Sequence, residues 1–197
     1  MQAIADKLSS VNRTLHGEVR DRIMLDHQFA AVTEQKEASR YAAFHDPLTG
    51  LPNRTLFMDR LEQGLAMAQR QKWHLALMFV DLDGFKEVND THGHDAGDRV
   101  LRTIAQRLKE SSRTDDTISR HGGDEFLYLL MKTGDSKAIS AIAEKRIISI
   151  QQPCKIATGD HSISLTISAS IGIAIYPKDG VTVDALIKSA DVACQTG

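Results

Sequence analysis

The chain has 197 residues, 42% of them hydrophobic and 5% aromatic, and this composition suits one compact, mainly aliphatic domain with an appendage. Its formal net charge of −2, from 24 basic and 26 acidic side chains, lacks the basic surplus of nucleic-acid-binding domains, so we expect no nucleic-acid partner. A nucleotide substrate is compatible with this charge, because a local metal site can hold phosphates without a basic global field.

Features of membrane and secreted proteins are missing from the sequence. No apolar run approaches the roughly 18 residues of a membrane span, and the N-terminus lacks the apolar stretch of a signal peptide. Cys154 and Cys194 form no CxxC pair, so free thiols in a reducing cytosol are favoured over a disulfide or a metal site. We therefore expect a cytoplasmic chain, which leaves room for a membrane or sensor region earlier in a longer parent protein.

Residues 1–44 contain no proline and a single glycine, and they predict one long amphipathic helix. Its apolar residues recur mostly at steps of three and four: Ile4, Leu8, Val11, Leu15, Val19, Ile23, Phe29 and Val32. The first steps follow a heptad, and the later ones shift the stripe. The pattern indicates either a dimeric coiled coil that leads into the next domain or a helix that folds back on its own domain.

The remainder of the chain, residues 45–197, is predicted to form a folded domain that opens with the turn-forming segment 46–54. Asn53, near the end of that segment, suits the N-cap of a helix over 54–70. An almost continuous apolar run over 74–80 then predicts a central strand that is buried on both faces.

Later elements follow in the order helix, strand hairpin, helix, strand, helix. Their predicted ranges are helix 95–110, strands 117–120 and 125–131 around Gly122-Gly123, helix 136–150, strand 162–176 and a last helix from near Val183. Without the flanking helices, this order is the βαββαβ pattern of ferredoxin-like folds, in the α/β (α+β) class. It predicts a mainly antiparallel, palm-type sheet with helices packed on one face.

Acidic residues cluster at the ends of two predicted strands. Asp81 and Asp83 follow the first strand, and Asp124 and Glu125 follow the glycine pair of the hairpin. If these strands are neighbours, the carboxylates converge and repel one another unless a cation lies among them. Mg²⁺ usually binds through one or two carboxylates plus substrate phosphates. The spacing alone leaves two interpretations open, a metal–phosphate site and an ordinary acidic hairpin turn.

Separated motifs along the chain resemble, in order, those of the GGDEF domain family of diguanylate cyclases. They are residues 46–54 (DPLTGLPNR), residues 81–98 (DLDGFKEVNDTHGHDAGD) and residues 121–126 (HGGDEF), followed by Ala190-Asp191. The resemblance covers residues 45–193 and implies a Mg²⁺-dependent enzyme, with Mn²⁺ as an alternative metal. The implied activity is the condensation of two GTP molecules into cyclic di-GMP, with release of pyrophosphate, at the interface of two domains in a homodimer.

The resemblance also implies which residues hold the metal and act on the phosphates. Asp81 and Asp124 match carboxylate ligands, Leu82 matches a carbonyl ligand, and Glu125 is expected to make a second metal contact. Asp124 also matches the proposed proton acceptor for the attacking 3′-hydroxyl. A metal-bound carboxylate is a poor base, so direct activation by the metal is the larger expected effect. Lys86 matches a cation that stabilises charge on the phosphates in the transition state.

Asn89 and Asp98 match the residues that read guanine in the family. A carboxylate accepts from guanine N1–H and the 2-amino group, a donor pair that adenine lacks, so Asp98 implies GTP rather than ATP. Outside the family context, Asn89 suits a helix cap and Asp98 a solvated first-turn carboxylate, while His94 either touches the nucleotide or fixes its turn. The further positions implied at the substrate are Phe85, His94, Gly122 and Gly123.

The segment from Arg113 to Asp116 has the spacing RxxD and lies shortly before the hairpin. In the family, this placement marks the allosteric site at which the product inhibits the enzyme. Arg113 can stack on guanine or bind phosphate, and Asp116 can accept from guanine. The alternative is an ordinary turn, since RxxD alone is a weak pattern.

The last predicted helix departs from the family pattern. The family continues past Ala190-Asp191 with an aromatic residue and basic residues that hold the triphosphate, whereas this chain reads VACQTG over 192–197. The difference predicts weakened triphosphate binding and keeps two alternatives to an active cyclase. One is a regulatory module that binds cyclic di-GMP or GTP without turnover, and the other is a GTP-binding domain that regulates a phosphodiesterase domain in a longer parent.

Overall fold

The structure is a computed structural model that describes residues 1–158 and 161–196, with side chains for all of these except 2–19, 21, 157, 158 and 161. The chain divides into two compact units, Met1–Ala43 and Phe44–Gly197. The helices are α1 (Gln2–Phe44), α2 (Arg54–Gln71), α3 (Phe85–His92), α4 (His94–Glu110), α5 (Ser136–Ile150) and α6 (Val183–Thr196). The strands are β1 (His74–Asp83), β2 (Thr117–Gly122), β3 (Glu125–Thr133), β4 (Cys154–Thr158), β5 (His161–Leu165) and β6 (Ser168–Tyr176).

Apart from Met1, the first unit lies within α1, and the predicted long helix is confirmed. In its described part, the apolar side chains of Ile23, Phe29 and Val32 are exposed. The earlier positions of the heptad, residues 4–19, lie outside the described side chains, so a coiled coil through this stripe stays a prediction. Across the described residues, we find no helix that combines the length and the apolarity needed to cross a membrane.

The second unit is built on a four-stranded antiparallel sheet with the strand order β2-β3-β1-β6. The central strand β1 pairs with β3 on one side and with β6 on the other, so that Leu77 lies between Leu129 and Ala174. In this order, the edge strands β2 and β6 flank the central strands β3 and β1, which carry the predicted acidic residues Glu125 and Asp81. The predicted ferredoxin-like fold is therefore confirmed.

Helices cover both faces of this sheet, although the sequence predicted them on one. The two helices within the βαββαβ repeat, α4 and α5, pack on the face that includes Met78 and Val80. The flanking helices α2 and α6 pack on the opposite face, against Leu75 and Leu77. The prediction was wrong because it considered only the helices inside the repeat. A strand that is apolar on both faces needs a helical layer on each.

The predicted strand 162–176 is divided into two strands that belong to different sheets. β5 ends at Leu165, and it pairs with β4 in a separate hairpin in which Ile163 lies opposite Ile156. β6 begins at Ser168 and joins the main sheet. Polar and apolar residues keep alternating through the break, so periodicity alone does not reveal it. The sequence pattern also does not predict β4.

The predicted helix 95–110 is confirmed as α4, but the short helix α3 ahead of it is not predicted. Gly93 separates the two helices with a φ of 83°, a conformation that glycine adopts readily. The helices approach closely because Gly97 has no side chain: an added Cβ would overlap Oδ1 of Asn89. This close approach brings Asn89 near the start of α4, where Asp98 lies.

Candidate functional site

Acidic residues converge at one end of the β1–β3 pair, as the sequence predicts. Asp81 pairs directly with Glu125, so both side chains project from the sheet face that α2 and α6 cover. Asp124 lies in the adjoining hairpin turn. Burial raises the pKa of Asp81, and the charges of Asp124 and Asp83 raise it further. Burial, followed by Asp81 and Asp124, also raises the pKa of Glu125.

A fifth acid, Asp191 of α6, lies within electrostatic range of the same site, although no role in it was predicted. Its negative charge contributes to the raised pKa of both Asp81 and Glu125. α6 can lie this close to the sheet because β6 has glycine at position 172, where an added Cβ would overlap the α6 backbone. The family motif that contains Asp191 is the only sequence signal for this residue, since helical periodicity does not connect it with β1.

Arg120 anchors the hairpin turn that carries Asp124. Its Nε and Nη2 donate to the carbonyl oxygen of Gly123 at 3.0 and 2.7 Å, and its Nη1 lies 3.3 Å from Oδ1 of Asp46. Gly123 itself has a φ of 48°, in the left-handed region that glycine tolerates. Burial alone would raise the pKa of Asp46, but hydrogen bonds from Thr49 and the Arg120 guanidinium hold that pKa below its usual value. The turn is thereby tied to the segment that opens the domain.

His121, the residue before the glycine pair, lies beside the acidic end of the sheet. Its ring meets Phe79 edge-on, with 6.0 Å between the ring centroids and 66° between the planes. Burial and then the charge of Arg54 lower the pKa of His121, while Asp191 opposes them. Arg54, the first residue of α2, is therefore a cation within electrostatic reach of His121, and sequence reasoning missed it.

The donor set at the acidic end of β1 fits a magnesium ion. Asp81 and Asp124 offer two carboxylates, the number through which Mg²⁺ usually binds when substrate phosphates complete its shell. The side chain of Leu82 is buried, at 2% exposure, so a contact of this residue with a metal ion would be made by its backbone carbonyl. A divalent cation would relieve the repulsion that raises the pKa of Asp81. Among the side chains that the structure describes, no group of three or more His, Cys, Asp or Glu is arranged to hold a metal ion.

The residues predicted to read guanine lie together where α3 meets α4. Asn89 on α3 and Asp98 on α4 are both half-buried beside the close approach of the two helices. Asp98 forms an exposed ion pair with Arg102, one turn further along α4, at 3.8 Å. Lys86 and His94, two other predicted substrate contacts, have exposed side chains. The arrangement leaves polar groups of α3 and α4 accessible to a nucleotide.

Phe85 and the glycine pair occupy different environments. The side chain of Phe85 is 8% exposed and packs against Gly97, so it supports the packing of α3 on α4. Direct contact between Phe85 and a substrate stays a prediction. An added Cβ at Gly122 or Gly123 would meet nothing within 4 Å, so the space beside the hairpin turn is open. An open backbone at this point suits the close approach of a ligand.

Arg113 and Asp116 form a single turn. The amide of Asp116 donates to the carbonyl oxygen of Arg113 at 3.1 Å, and the amide of Arg113 donates to the Asp116 carboxylate at 3.3 Å. Asp116 also accepts from the Tyr128 hydroxyl at 3.2 Å and from the Met131 amide at 3.4 Å. The Arg113 side chain is exposed, whereas Asp116 is half-buried and held by β3.

The domain has a ferredoxin-like, palm-type fold, in which the antiparallel sheet carries acidic residues at the end of β1 and in the β2–β3 hairpin. Residues 43–197 match the family model described as diguanylate cyclase, GGDEF domain. The chain therefore belongs to the GGDEF domain family, and the resemblance of its motifs is confirmed.

Two proteins of Pseudomonas aeruginosa illustrate the similarity. The chain is 48% identical over 151 residues to the bifunctional diguanylate cyclase/cyclic di-GMP phosphodiesterase MucR, covering 77% of this chain and 21% of MucR. It is 40% identical over 164 residues to the diguanylate cyclase TpbB, covering 83% of this chain and 37% of TpbB. The chain thus spans well under two thirds of the length of these relatives.

Solved structures agree with the fold. The GGDEF domain of TpbB is similar with a TM-score of 0.73 and 42% identity, over 77% of this chain and 86% of that chain. The coiled coil and GGDEF domain of DgcB from Caulobacter crescentus, solved in complex with c-di-GMP, has a TM-score of 0.76 and covers 92% of each chain. Because its identity is 24%, it supports the fold alone.

Proposed function

We propose that this domain is a diguanylate cyclase that joins two GTP molecules into cyclic di-GMP. The observation that carries the proposal is the pairing of Asp81 with Glu125 beside the Asp124 turn, in a chain similar to the named cyclases MucR and TpbB. In each of two steps, the 3′-hydroxyl oxygen of one GTP attacks the α-phosphorus of the other. A phosphodiester bond forms, the bond from the α-phosphorus to the bridging oxygen of the β-phosphate breaks, the hydroxyl proton passes to the Asp124 carboxylate or to water, and pyrophosphate leaves.

Residues of β1, α3 and the hairpin would hold the reacting groups in this reaction. Asp81, Asp124 and the carbonyl of Leu82 would hold Mg²⁺, or Mn²⁺ in its place, with Glu125 beside them. When bound, the ion supplies Lewis-acid activation of the hydroxyl and neutralises phosphate charge. The exposed Lys86 can bind phosphate oxygens and stabilise the charge that develops on them.

Guanine recognition is assigned to Asn89 and Asp98. The Asp98 carboxylate can accept from N1–H and the 2-amino group, and the Asn89 amide can both donate and accept. The ion pair of Asp98 with Arg102 is exposed, with 45% and 54% side-chain exposure, and such pairs contribute little. The Asp98 carboxylate can therefore give up its ion pair with Arg102 and accept from guanine at little cost in free energy, which supports GTP as the substrate.

A homodimer is proposed because each domain would hold one GTP and two domains must face each other to close the ring. The exposed apolar side chains of Ile23, Phe29 and Val32 support pairing through α1, since such a stripe suits a coiled coil. A cytoplasmic location, where GTP is available, and sensor or phosphodiesterase domains in a longer parent are proposed with it. The phosphodiesterase activity in the name of MucR motivates the last of these.

The cyclase proposal is tested by pyrophosphate release from GTP in the presence of Mg²⁺, with the cyclic product identified chromatographically. We expect Asp124→Asn to reduce turnover by a factor on the order of 100 or more, because it removes a charged metal ligand. The matched control is Asp184→Asn, which neutralises an exposed acid in the first turn of α6. Absence of pyrophosphate release from the dimeric wild-type chain would contradict the proposal.

A second function, binding of cyclic di-GMP or GTP without turnover, is favoured by the charge of α6. On this helix, Asp191 adds a negative charge near the proposed phosphate site. In that case, the turn of Arg113 and Asp116 would bind cyclic di-GMP as an allosteric site and pass the signal to a neighbouring domain. Calorimetry on the wild type and on Arg113→Ala tests this function, which requires binding that the substitution weakens.

A further inference from the structure

Arg146 of α5 is a buried cation for which the helical pattern predicts an apolar residue. It shares the buried face of α5 with Ile139, Ala143 and Ile150, and it is 8% exposed. In the described part of the chain, no carboxylate oxygen lies within 4.0 Å of its side-chain nitrogens, and its Nε makes no hydrogen bond. A buried charge without a carboxylate partner is costly, so core packing alone does not explain this residue.

The hydrogen bonds of Arg146 lead to both ends of the loop 111–116, which joins α4 to β2 and includes Arg113. Its Nη2 donates to the carbonyl oxygen of Ser111 at 2.5 Å and to the hydroxyl oxygen of Tyr128 at 3.0 Å. The guanidinium carbon also lies 5.1 Å from the centroid of the Tyr128 ring, which is 1% exposed. The same hydroxyl lies 3.2 Å from Oδ2 of Asp116. Arg146 therefore holds the start of the loop directly and its end through Tyr128.

The direction of these hydrogen bonds follows from the donors available. Tyr128 has one phenolic proton, and because Arg146 donates to its oxygen, that proton goes to Asp116 or to Ser112, whose Oγ is 3.1 Å away. Both acceptors belong to the loop, so either choice fastens it to β3. A charge-assisted hydrogen bond polarises the phenol and strengthens its own donation. Burial raises the pKa of Tyr128, which keeps the hydroxyl protonated.

The Asp116 carboxylate keeps acceptor capacity for a ligand. Its Oδ1 accepts from the amide of Met131, and its Oδ2 accepts from the amide of Arg113 and is in reach of Tyr128. A carboxylate has roughly four acceptor sites, so these donors leave room for an additional N–H. The carboxylate is thus oriented by two backbone amides, with the Tyr128 hydroxyl beside it, and it is still able to accept from a purine edge.

We infer that Arg146 and Tyr128 are positioning residues for the product-binding turn: they fix Asp116 so that it can accept from the guanine of cyclic di-GMP, while the exposed Arg113 meets the same ligand. The inference rests on the proposed function, which assigns cyclic di-GMP to this turn. Neither residue touches the ligand. They act by holding the loop between its two ends.

Calorimetric titrations of the full chain test the inference, with cyclic di-GMP and a non-hydrolysable GTP analogue as separate ligands. Tyr128→Phe removes only the hydroxyl and should weaken cyclic di-GMP binding about fivefold, the effect of losing one hydrogen bond that orients Asp116. Arg146→Met should weaken it by a similar factor. The affinity for the GTP analogue should change less than about twofold in both variants. A purely structural role would weaken both ligands alike, or neither.

Matched variants separate positioning from a general loss of stability. Lys137→Met removes an exposed cation from α5 and should leave both affinities unchanged. The double variant Tyr128→Phe/Arg146→Met leaves no buried charge without partners, and removal of buried charges in this way is often tolerated. If the two residues act as one unit, the double variant loses no more affinity than the weaker-binding single variant. Additive losses would contradict a shared role.

Two outcomes distinguish this inference from the proposed function. If the wild type binds cyclic di-GMP and Arg113→Ala weakens binding, but Tyr128→Phe and Arg146→Met bind like the wild type, the inference is wrong and the proposed product site stands. If cyclic di-GMP does not bind, or binds equally well after Arg113→Ala, the proposed product site is wrong and the inference falls with it.

Discussion

Asp81 lies directly opposite Glu125 in the antiparallel pair of β1 and β3, and Asp124 follows in the adjoining turn. Residues in such a position have Cβ atoms about 4.5–5.5 Å apart, and like charges there destabilise the pair. The raised pKa of each carboxyl group reflects burial first and then this repulsion. The domain therefore holds an unfavourable concentration of negative charge at the place where a cation is proposed to bind.

Asp81→Asn should stabilise the metal-free domain at neutral pH. The pKa of Asp81 is raised by burial and then by Asp124, so the charged form is disfavoured in the folded state. After a discount for solvent screening, the gain is a few tenths to about 1 kcal/mol, or roughly 1–3 °C in the midpoint of thermal unfolding. Unfolding is measured with a chelator present. The control Glu62→Gln, an exposed acid of α2, should shift stability by less than about 0.5 kcal/mol.

The pH dependence of this gain has a defined sign. Because the folded-state pKa of Asp81 is raised, the folded state binds the proton more tightly than the unfolded state. The penalty from Asp81 is absent below its ordinary pKa of 3.8, grows as pH rises to the folded-state pKa and is complete above it. Urea unfolding at acidic and neutral pH should show the advantage of Asp81→Asn only at the higher pH. An advantage that is larger in acid would contradict the assignment.

Mg²⁺ should stabilise the wild-type domain and lose this effect when either proposed carboxylate ligand is neutralised. A ligand at 100 times its dissociation constant stabilises a folded protein by about 2.7 kcal/mol. Asp81→Asn and Asp124→Asn should abolish most of the Mg²⁺-dependent rise in the unfolding midpoint. Asp83→Asn is the matched control, since the Asp83 carboxylate accepts from Ser170 Oγ at 2.8 Å and ties β1 to β6. An equal response to Mg²⁺ in all of these variants would exclude the proposed ligands.

Local patterns in the sequence were sufficient for most helices and for the main sheet. Asn53 caps α2 as predicted, with its Oδ1 accepting from the amide of Leu56 at 3.1 Å. The continuous apolar run of β1 predicted burial on both faces, and the glycine pair predicted the hairpin that brings Asp124 to Asp81. These features depend on residues close in sequence, or on a strand pairing that is typical of the fold.

Contacts between distant segments were not predictable from such patterns. Arg120 and Asp46 are 74 positions apart, and no periodicity links a residue of β2 with a turn from which four other elements separate it. The helix over 136–150 was predicted, but the helical period does not reveal that its buried Arg146 meets Ser111 and Tyr128. Similarly, the alternation that spans residues 162–176 does not show where the chain leaves one sheet for another.

Arg120→Met should destabilise the domain by about 2 kcal/mol, because it leaves the Asp46 carboxylate and the Gly123 carbonyl without their shared donor. The two side chains of this ion pair are only 15% and 17% exposed, so solvent cannot fully replace the guanidinium. Denaturation in urea measures the loss. Hydrogen exchange should show that the hairpin amides open more readily in the variant.

The control for Arg120→Met is Arg102→Met, which removes the exposed ion pair with Asp98 and should cost less than about 0.5 kcal/mol. The pKa of Asp46 is lowered in the folded state, so its contribution is present above the ordinary pKa and is lost as pH falls through the folded-state value. The difference between the wild type and Arg120→Met should therefore shrink in acid. Equal costs for the two substitutions would contradict the anchoring role of Arg120.

Gly172→Ala should be among the most harmful single substitutions outside the acidic site. A Cβ at this position overlaps the carbonyl oxygen of Ala190 and the backbone of Cys194, which are main-chain atoms that cannot rotate away. Moving α6 to relieve the overlap should cost about 3 kcal/mol and carry Asp191 away from Asp81. Urea unfolding measures the cost. Exchange of α6 amides should rise, since the packing that protects them is loosened.

Gly122→Ala is the control for Gly172→Ala, because it also replaces a glycine of the sheet but at a position where no helix packs. An added Cβ at Gly122 meets nothing within 4 Å, so stability should stay within about 0.5 kcal/mol of the wild type. If the hairpin lines the nucleotide site as proposed, Gly122→Ala should instead weaken binding of a GTP analogue, because the methyl group occupies open space beside the turn. Equal stability of Gly172→Ala and Gly122→Ala would show that α6 does not depend on the contact at position 172. Unaltered nucleotide binding by Gly122→Ala would remove that glycine from the proposed substrate site.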